Sequence, residues 1–159
     1  MSQANMSLWA PEIRAPAETP LAILRVQADE LGKLTGGVLV GAVQEWPDEE
    51  DKVKITLEIM APELHESTFR ILSVQHDRRL PYPVVVDAEI FRPKGFAAMI
   101  EATSPFNEGK KPDNRADDDP EFRDLLKKVL QSSPVKALAS SLRARVTELR
   151  SALSANAPA

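Results

Sequence analysis

The sequence contains no cysteine and only two histidines, and aromatic residues make up 5% of it. Without cysteine the chain cannot form disulfides, use a thiolate nucleophile or bind zinc through sulfur. Two histidines are too few for a His-rich metal site. The small number of aromatic residues also argues against a surface that stacks nucleic acid bases.

Long hydrophobic runs and a strong charge bias are absent as well. The longest strongly apolar run, Val38 to Val43, is far shorter than the roughly 20 residues that span a bilayer. The N-terminus lacks the basic and apolar regions of a signal peptide. A net charge of −4 gives no general attraction to nucleic acid or to anionic membranes. We therefore expect a cytoplasmic protein with no membrane association.

The sequence also lacks the common catalytic motifs. It has no phosphate-binding loop, no G-x-G-x-x-G and no G-x-S-x-G elbow. We therefore expect no cofactor, and the sequence favours a non-enzyme. Its 159 residues, 43% of them apolar and 28% charged, are typical of one globular domain with its own core.

Four segments have the alternation or the β-branched composition of strands. Lys52 to Met60 is the clearest, with Val53, Ile55, Leu57 and Ile59 inward and Lys54, Thr56 and Glu58 outward. Val38 to Trp46 and Val84 to Val86 show little alternation, which predicts burial on both faces. Thr68 to Phe91 is predicted to be a hairpin that turns at Asp77 to Pro81, and short connections favour an antiparallel meander.

Three helices are predicted from cap residues that are followed directly by proline and from apolar stripes. Thr19-Pro20 opens the first, which should end near Gly32 to Gly36. Asp119-Pro120 opens the second, whose apolar residues form one face: Phe122, Leu125, Leu126, Val129 and Leu130. Ser133-Pro134 opens the last. Phe96 to Thr103 fits either a fifth strand or a short helix, and Ser104 to Asp119 is predicted to be a long loop.

The predicted fold class is α+β: an antiparallel sheet of four to five strands with one N-terminal and two C-terminal helices packed on it. Residues 1–18 are expected to be an irregular N-terminal arm, 19–153 one α+β domain and 154–159 a disordered tail. The arm carries three large apolar residues, Leu8, Trp9 and Ile13. The simplest interpretations are an arm that lies on its own domain or a disordered tail. The functional interpretation is a docking peptide, in which these three residues are candidates for binding a protein partner.

Asp87 and Glu89 are the candidate acids for metal-dependent chemistry. They lie two residues apart in a predicted strand and would share one face. Such a pair can bind a divalent metal for phosphodiester hydrolysis, so a hydrolase or nuclease is one alternative. The other interpretation, which we favour, is an exposed sheet face where the acids meet Arg70 or another cross-strand cation.

The last helix is basic and carries a heptad-like seam of Ala139, Leu142, Val146, Leu149 and Leu153. The basic side chains suggest a second alternative, a nucleic-acid-binding accessory protein, although we expect no nucleic acid partner. The seam favours a homodimer. Four residues of this helix are therefore candidates for partner contact: Arg143, Val146, Leu149 and Arg150.

The function expected from the sequence is a non-catalytic protein-binding module or accessory subunit of a larger cytoplasmic, bacterial assembly. This expectation depends on the missing catalytic motifs and on three candidate contact surfaces: the arm, the long loop and the last helix. No motif in the sequence identifies a protein family.

Overall fold

The computed structural model of the chain describes residues 7–14, 16–48, 51–65, 68–91 and 114–155. Over these ranges the fold is α+β, as predicted, with a five-stranded antiparallel sheet and three helices. The strands are β1 (Val40–Pro47), β2 (Lys52–Met60), β3 (Thr68–Asp77), β4 (Val84–Asp87) and β5 (Arg115–Ala116). The helices are α1 (Pro20–Leu34), α2 (Asp119–Leu130) and α3 (Ser133–Ala155). The predicted element at 96–103 lies outside the described residues.

The sheet is a meander in which the strands lie side by side in chain order, β1-β2-β3-β4-β5. Each neighbouring pair is antiparallel, which confirms the topology expected from the short connections. A bulge interrupts the β2–β3 ladder between Leu57 and Glu58. β1 and the two-residue β5 form the two edges.

The core lies between one sheet face and the helices. The odd-numbered apolar residues of β2 are buried, as predicted, and the helices cover them with Leu24, Phe122, Leu126, Leu142 and Val146. A single cluster of buried apolar side chains joins all of these elements. One cluster of this kind is typical of one domain.

Three predictions about individual strands are wrong. β1 is an edge strand whose residues are half-buried or exposed, so it is not covered on both faces. β4 has neighbours on both sides, but Val85 points to the opposite sheet face and is 43% exposed. Thr56 lies on the face expected, yet it is fully buried there. Apolar composition alone did not show which strand edges and faces stay open.

Helix ends follow the predicted capping signals closely. Thr19 caps α1, and its side-chain oxygen accepts the N–H of Ala22 at 3.2 Å. The chain leaves α1 through Gly36 and Gly37, which adopt positive φ angles of 60° and 84°. Asp118, one residue before the predicted position, caps α2. The last helix extends through Ala155, into the segment expected to be a tail.

The fifth strand lies within the segment predicted to be a long loop. Arg115 and Ala116 pair with Val85 and Val84, and the N–H of Val86 donates to the carbonyl of Asn114 at 2.7 Å. A two-residue strand is too short to show an alternating pattern. The other end of β4 is also shorter than expected, because Glu89–Phe91 forms a 3-10 turn.

Candidate functional site

The N-terminal arm presents its large apolar side chains to solvent. Leu8 is 98% exposed, Trp9 is 74% exposed and Ile13 is 65% exposed. A 3-10 turn, Pro11–Arg14, separates the first two from the domain, and Ile13 donates its N–H to the carbonyl of Ala10 at 3.1 Å. Apolar side chains exposed in such a small segment are typical of an interaction surface.

The base of the arm is fixed to the domain at Glu18. The Tyr82 hydroxyl donates to the Glu18 carbonyl at 2.6 Å, and the Glu18 N–H donates to the Asp119 carboxylate at 3.3 Å. The Glu18 carboxylate pairs with the Arg123 guanidinium at 2.7 Å. The backbone donor, the backbone acceptor and the side chain of one residue are thus all engaged. This anchor sets the point at which the arm leaves the domain.

The phenol of Tyr82 is partly buried in this anchor, and its pKa is raised. Burial raises the pKa of Tyr82 to about 12, the nearby carboxylate of Asp119 adds to the shift, and Arg123 opposes it. The Tyr82 ring also contacts the edge of Phe122, with ring centres 6.4 Å apart. The hydroxyl therefore stays protonated and keeps donating to the Glu18 carbonyl throughout the physiological pH range.

A groove of about 320 Å³ opens beside this anchor, between α1 and α2. Val26, which is 54% exposed, and Leu130 contribute apolar surface to its walls. Arg123 and Lys127 contribute positive charge. The groove therefore combines apolar and charged groups beside the anchor.

The four candidate residues of the last helix have different surroundings in the structure. Val146 is buried in the domain core, and Leu149 is half-buried. The Arg150 guanidinium pairs with both carboxylate oxygens of Glu63, with Nε–Oε2 and Nη2–Oε1 distances of 3.0 Å. Arg143 is exposed. The inner side of the seam therefore packs within the chain, and its end at Leu153 is exposed.

Asp87 and Glu89 lie close to Ser73 but have different neighbours. Ser73 pairs with Asp87 across the strands, and its hydroxyl donates to Glu89 Oε1 at 3.4 Å. Arg70 Nε lies 3.6 Å from Glu89 Oε2 and 3.6 Å from Glu58 Oε1. The pairing with Arg70 favoured by the sequence is present for Glu89, but Glu89 lies in the 3-10 turn after β4 and does not share a strand face with Asp87. A metal at this position would have to compete with that guanidinium.

Asp87 and Ser73 line a hollow of about 370 Å³ on the polar sheet face, together with Lys54, Gln75 and Asn114. In this hollow the Gln75 side-chain amide donates to the Asp48 carboxylate at 2.5 Å. Among the described residues, no group of three or more His, Asp or Glu side chains is placed to hold a metal ion. The hollow therefore combines charges of both signs with a hydrogen bond between its own side chains, which is typical of a polar protein surface.

Comparison of the chain with protein-family models, with curated proteins and with solved structures finds no match. In the part of the chain that the structure describes, no helix combines the length and apolar character needed to cross a membrane.

The sequence signals of the arm did not predict its anchor at Glu18. Glu18 is 64 residues from Tyr82 and 101 residues from Asp119 along the chain. No local periodicity or motif connects positions so far apart. The one available signal is the density of polar and charged residues around the caps of α1 and α2.

Proposed function

We propose that this protein is a non-catalytic protein-binding module, an accessory subunit that attaches to a larger cytoplasmic assembly through its N-terminal arm. The observation that supports this proposal is the contrast between the two ends of the arm. Leu8, Trp9 and Ile13 are exposed, whereas Glu18 makes three contacts with the domain. A fixed base with an exposed apolar tip suits insertion into a pocket of another protein.

The apolar tip provides enough surface for useful affinity. Complete burial of one large apolar side chain contributes about 1.5–3 kcal/mol, and Trp9 is the residue type most enriched among interface hot spots. Ordering a free peptide would offset part of this gain. Pro11 and Pro16 restrict φ in the arm, and the 3-10 turn at Pro11–Arg14 already orders part of it. The entropic cost of docking is correspondingly reduced.

The two other functions considered from the sequence have less support. The hydrolase alternative needs Glu89 as a ligand or base, but that carboxylate pairs with Arg70 and accepts from Ser73. The nucleic acid alternative uses the basic side chains of the last helix, of which Arg150 is already engaged by Glu63. The arm requires no rearrangement of the domain to make a new contact.

The proposal is tested by affinity purification of the tagged full-length protein from the cells that make it. The arm variant combines Leu8→Ser, Trp9→Ser and Ile13→Ser. We expect a protein to co-purify with the wild type in fixed stoichiometry and to be lost with the arm variant. Thermal unfolding of the two proteins should be similar, because the substituted side chains lie outside the core.

Leu34→Ser is the matched control, since Leu34 is 80% exposed and is the last residue of α1, about 21 Å along the helix from the base of the arm. It should retain the co-purifying protein. Equal recovery of the co-purifying protein with the wild type and with the arm variant would contradict the proposal. The absence of any protein that co-purifies with the wild type in fixed stoichiometry would also contradict it.

A further inference from the structure

The outer edge of β1 carries backbone groups that point away from the sheet. The N–H of Asp48 donates to the carbonyl of Lys52 at 2.8 Å. This bond shows which residues of β1 direct their backbone groups towards β2. In an antiparallel ladder the N–H and C=O of one residue point to the same side, and successive residues alternate. The residues that point outward are therefore Gly41, Val43, Glu45 and Pro47.

Within the described residues, no hydrogen bond reaches these outward groups. Such an edge is a template for another strand. Pro47 has no N–H to donate, so it ends the usable edge. Gly41, Val43 and Glu45 remain, each with one donor and one acceptor.

We propose that a second copy of this chain occupies this edge, so that two β1 strands pair antiparallel about a two-fold axis at Val43. In this register Val43 faces the second copy's Val43, and Gly41 faces its Glu45. Each such pair exchanges two hydrogen bonds, so every outward N–H of the three residues is used. If the register were shifted by one hydrogen-bonded pair, Gly41 would face the second copy's Pro47. One hydrogen bond would then be lost, because proline has no N–H. The proposal concerns a surface separate from the arm and does not depend on the proposed function.

Side chains on the polar face agree with this register. Trp46 is 48% exposed although it lies within a strand. The register places it opposite the second copy's Val40, on the same face. An aromatic residue opposite a β-branched residue is a favourable cross-strand pair.

Charges on the helix-covered face agree as well. Glu45 lies on the same face as Gly41, because both pair with inward residues of β2. Beside Gly41 is a hollow lined by Arg25 and Asp29 of α1. Asp29 is paired with Lys33 at 3.4 Å. The second copy's Glu45 would therefore enter this hollow next to the Arg25 guanidinium.

The test measures the mass of the full-length protein by sedimentation equilibrium at micromolar concentrations. We expect the wild type to approach twice 17.5 kDa and Val43→Pro to remain near 17.5 kDa. Proline at position 43 removes an outward N–H and leaves the β1–β2 ladder intact, which circular dichroism verifies. Leu153→Ser, at an exposed leucine of the last helix, is the control and should keep the wild-type mass.

A charge exchange tests the register itself. Glu45→Arg should raise the dimer dissociation constant about tenfold, and adding Arg25→Glu should restore it. Both residues are exposed, so these variants also serve if Val43→Pro does not fold. A monomeric wild type would overturn the proposal. So would a dimer that is insensitive to Val43→Pro and Glu45→Arg, or one lost with Leu153→Ser.

Discussion

Ala28 of helix α1 lies directly against Gly41 of strand β1. A β-carbon at position 41 would come within 2.5 Å of Ala28 Cα and 2.7 Å of Ala28 Cβ. This contact brings the helix onto the sheet where β1 is an edge strand, and it explains why a glycine interrupts an otherwise β-branched segment. The helix and the strand can approach this closely only because both residues are small.

Gly41→Ala should destabilise the fold by about 1–3 kcal/mol, because the added methyl group has to displace backbone atoms of α1. Gly32→Ala is the matched control. Its added carbon would meet only Leu39 O, at 4.0 Å, and alanine is the better helix former by about 1 kcal/mol. Chemical denaturation should therefore rank Gly32→Ala at or above the wild type and Gly41→Ala below it. Equal stability of the two variants would contradict the close contact.

Leu57→Ala and Val85→Ala distinguish the two sheet faces. Leu57 is 4% exposed in the core, so its truncation should cost about 2–5 kcal/mol. Val85 lies on the polar face, so Val85→Ala should change the free energy of unfolding by less than about 0.5 kcal/mol. A loss at Val85 as large as the loss at Leu57 would show that the polar face is covered.

Much of the fold follows from local signals in the sequence. The alternation in β2 and the caps at Thr19 and Ser133 predict element types and positions that the structure confirms within a residue or two. Composition did not predict burial where the burial of a residue depends on the strands and helices beside it. Val84 to Val86 are chemically alike, but only the middle residue points away from the helices. The anchor at Glu18 was not predicted either, because its partners are distant in sequence.

Tyr82 reports on the anchor of the arm, because it is the only tyrosine in the chain. Its absorbance should titrate with a midpoint at about 12 in the folded protein, against about 10 in the unfolded chain. Since the folded state holds this proton more tightly, the stabilisation is fully present below pH ~10 and is lost as the pH rises towards 12.

Tyr82→Phe is the control for this titration and should abolish the absorbance change. It should also remove this residue's part of the alkaline loss of stability. A midpoint near 10 in the folded wild type would show that the hydroxyl is solvated and does not hold Glu18.

The Glu63–Arg150 pair attaches the last helix to the turn that follows β2. Both side chains are partly exposed, so the pair should stabilise the fold by about 0.2–1 kcal/mol. A double-mutant cycle with Glu63→Ala and Arg150→Ala measures this coupling energy directly. The coupling should weaken at high salt. A coupling of zero at low salt would leave Arg150 free for a partner.

Site-specific photocrosslinking from position 9 tests the proposed function of the arm most directly. The full-length protein carries a photoreactive phenylalanine analogue in place of Trp9, or in place of the exposed Leu34 as the control, and is irradiated in the cells that make it. We predict a covalent adduct of the 17.5 kDa chain with a different protein from position 9 and none from position 34. No adduct from position 9, or the same adducts from both positions, would contradict the account.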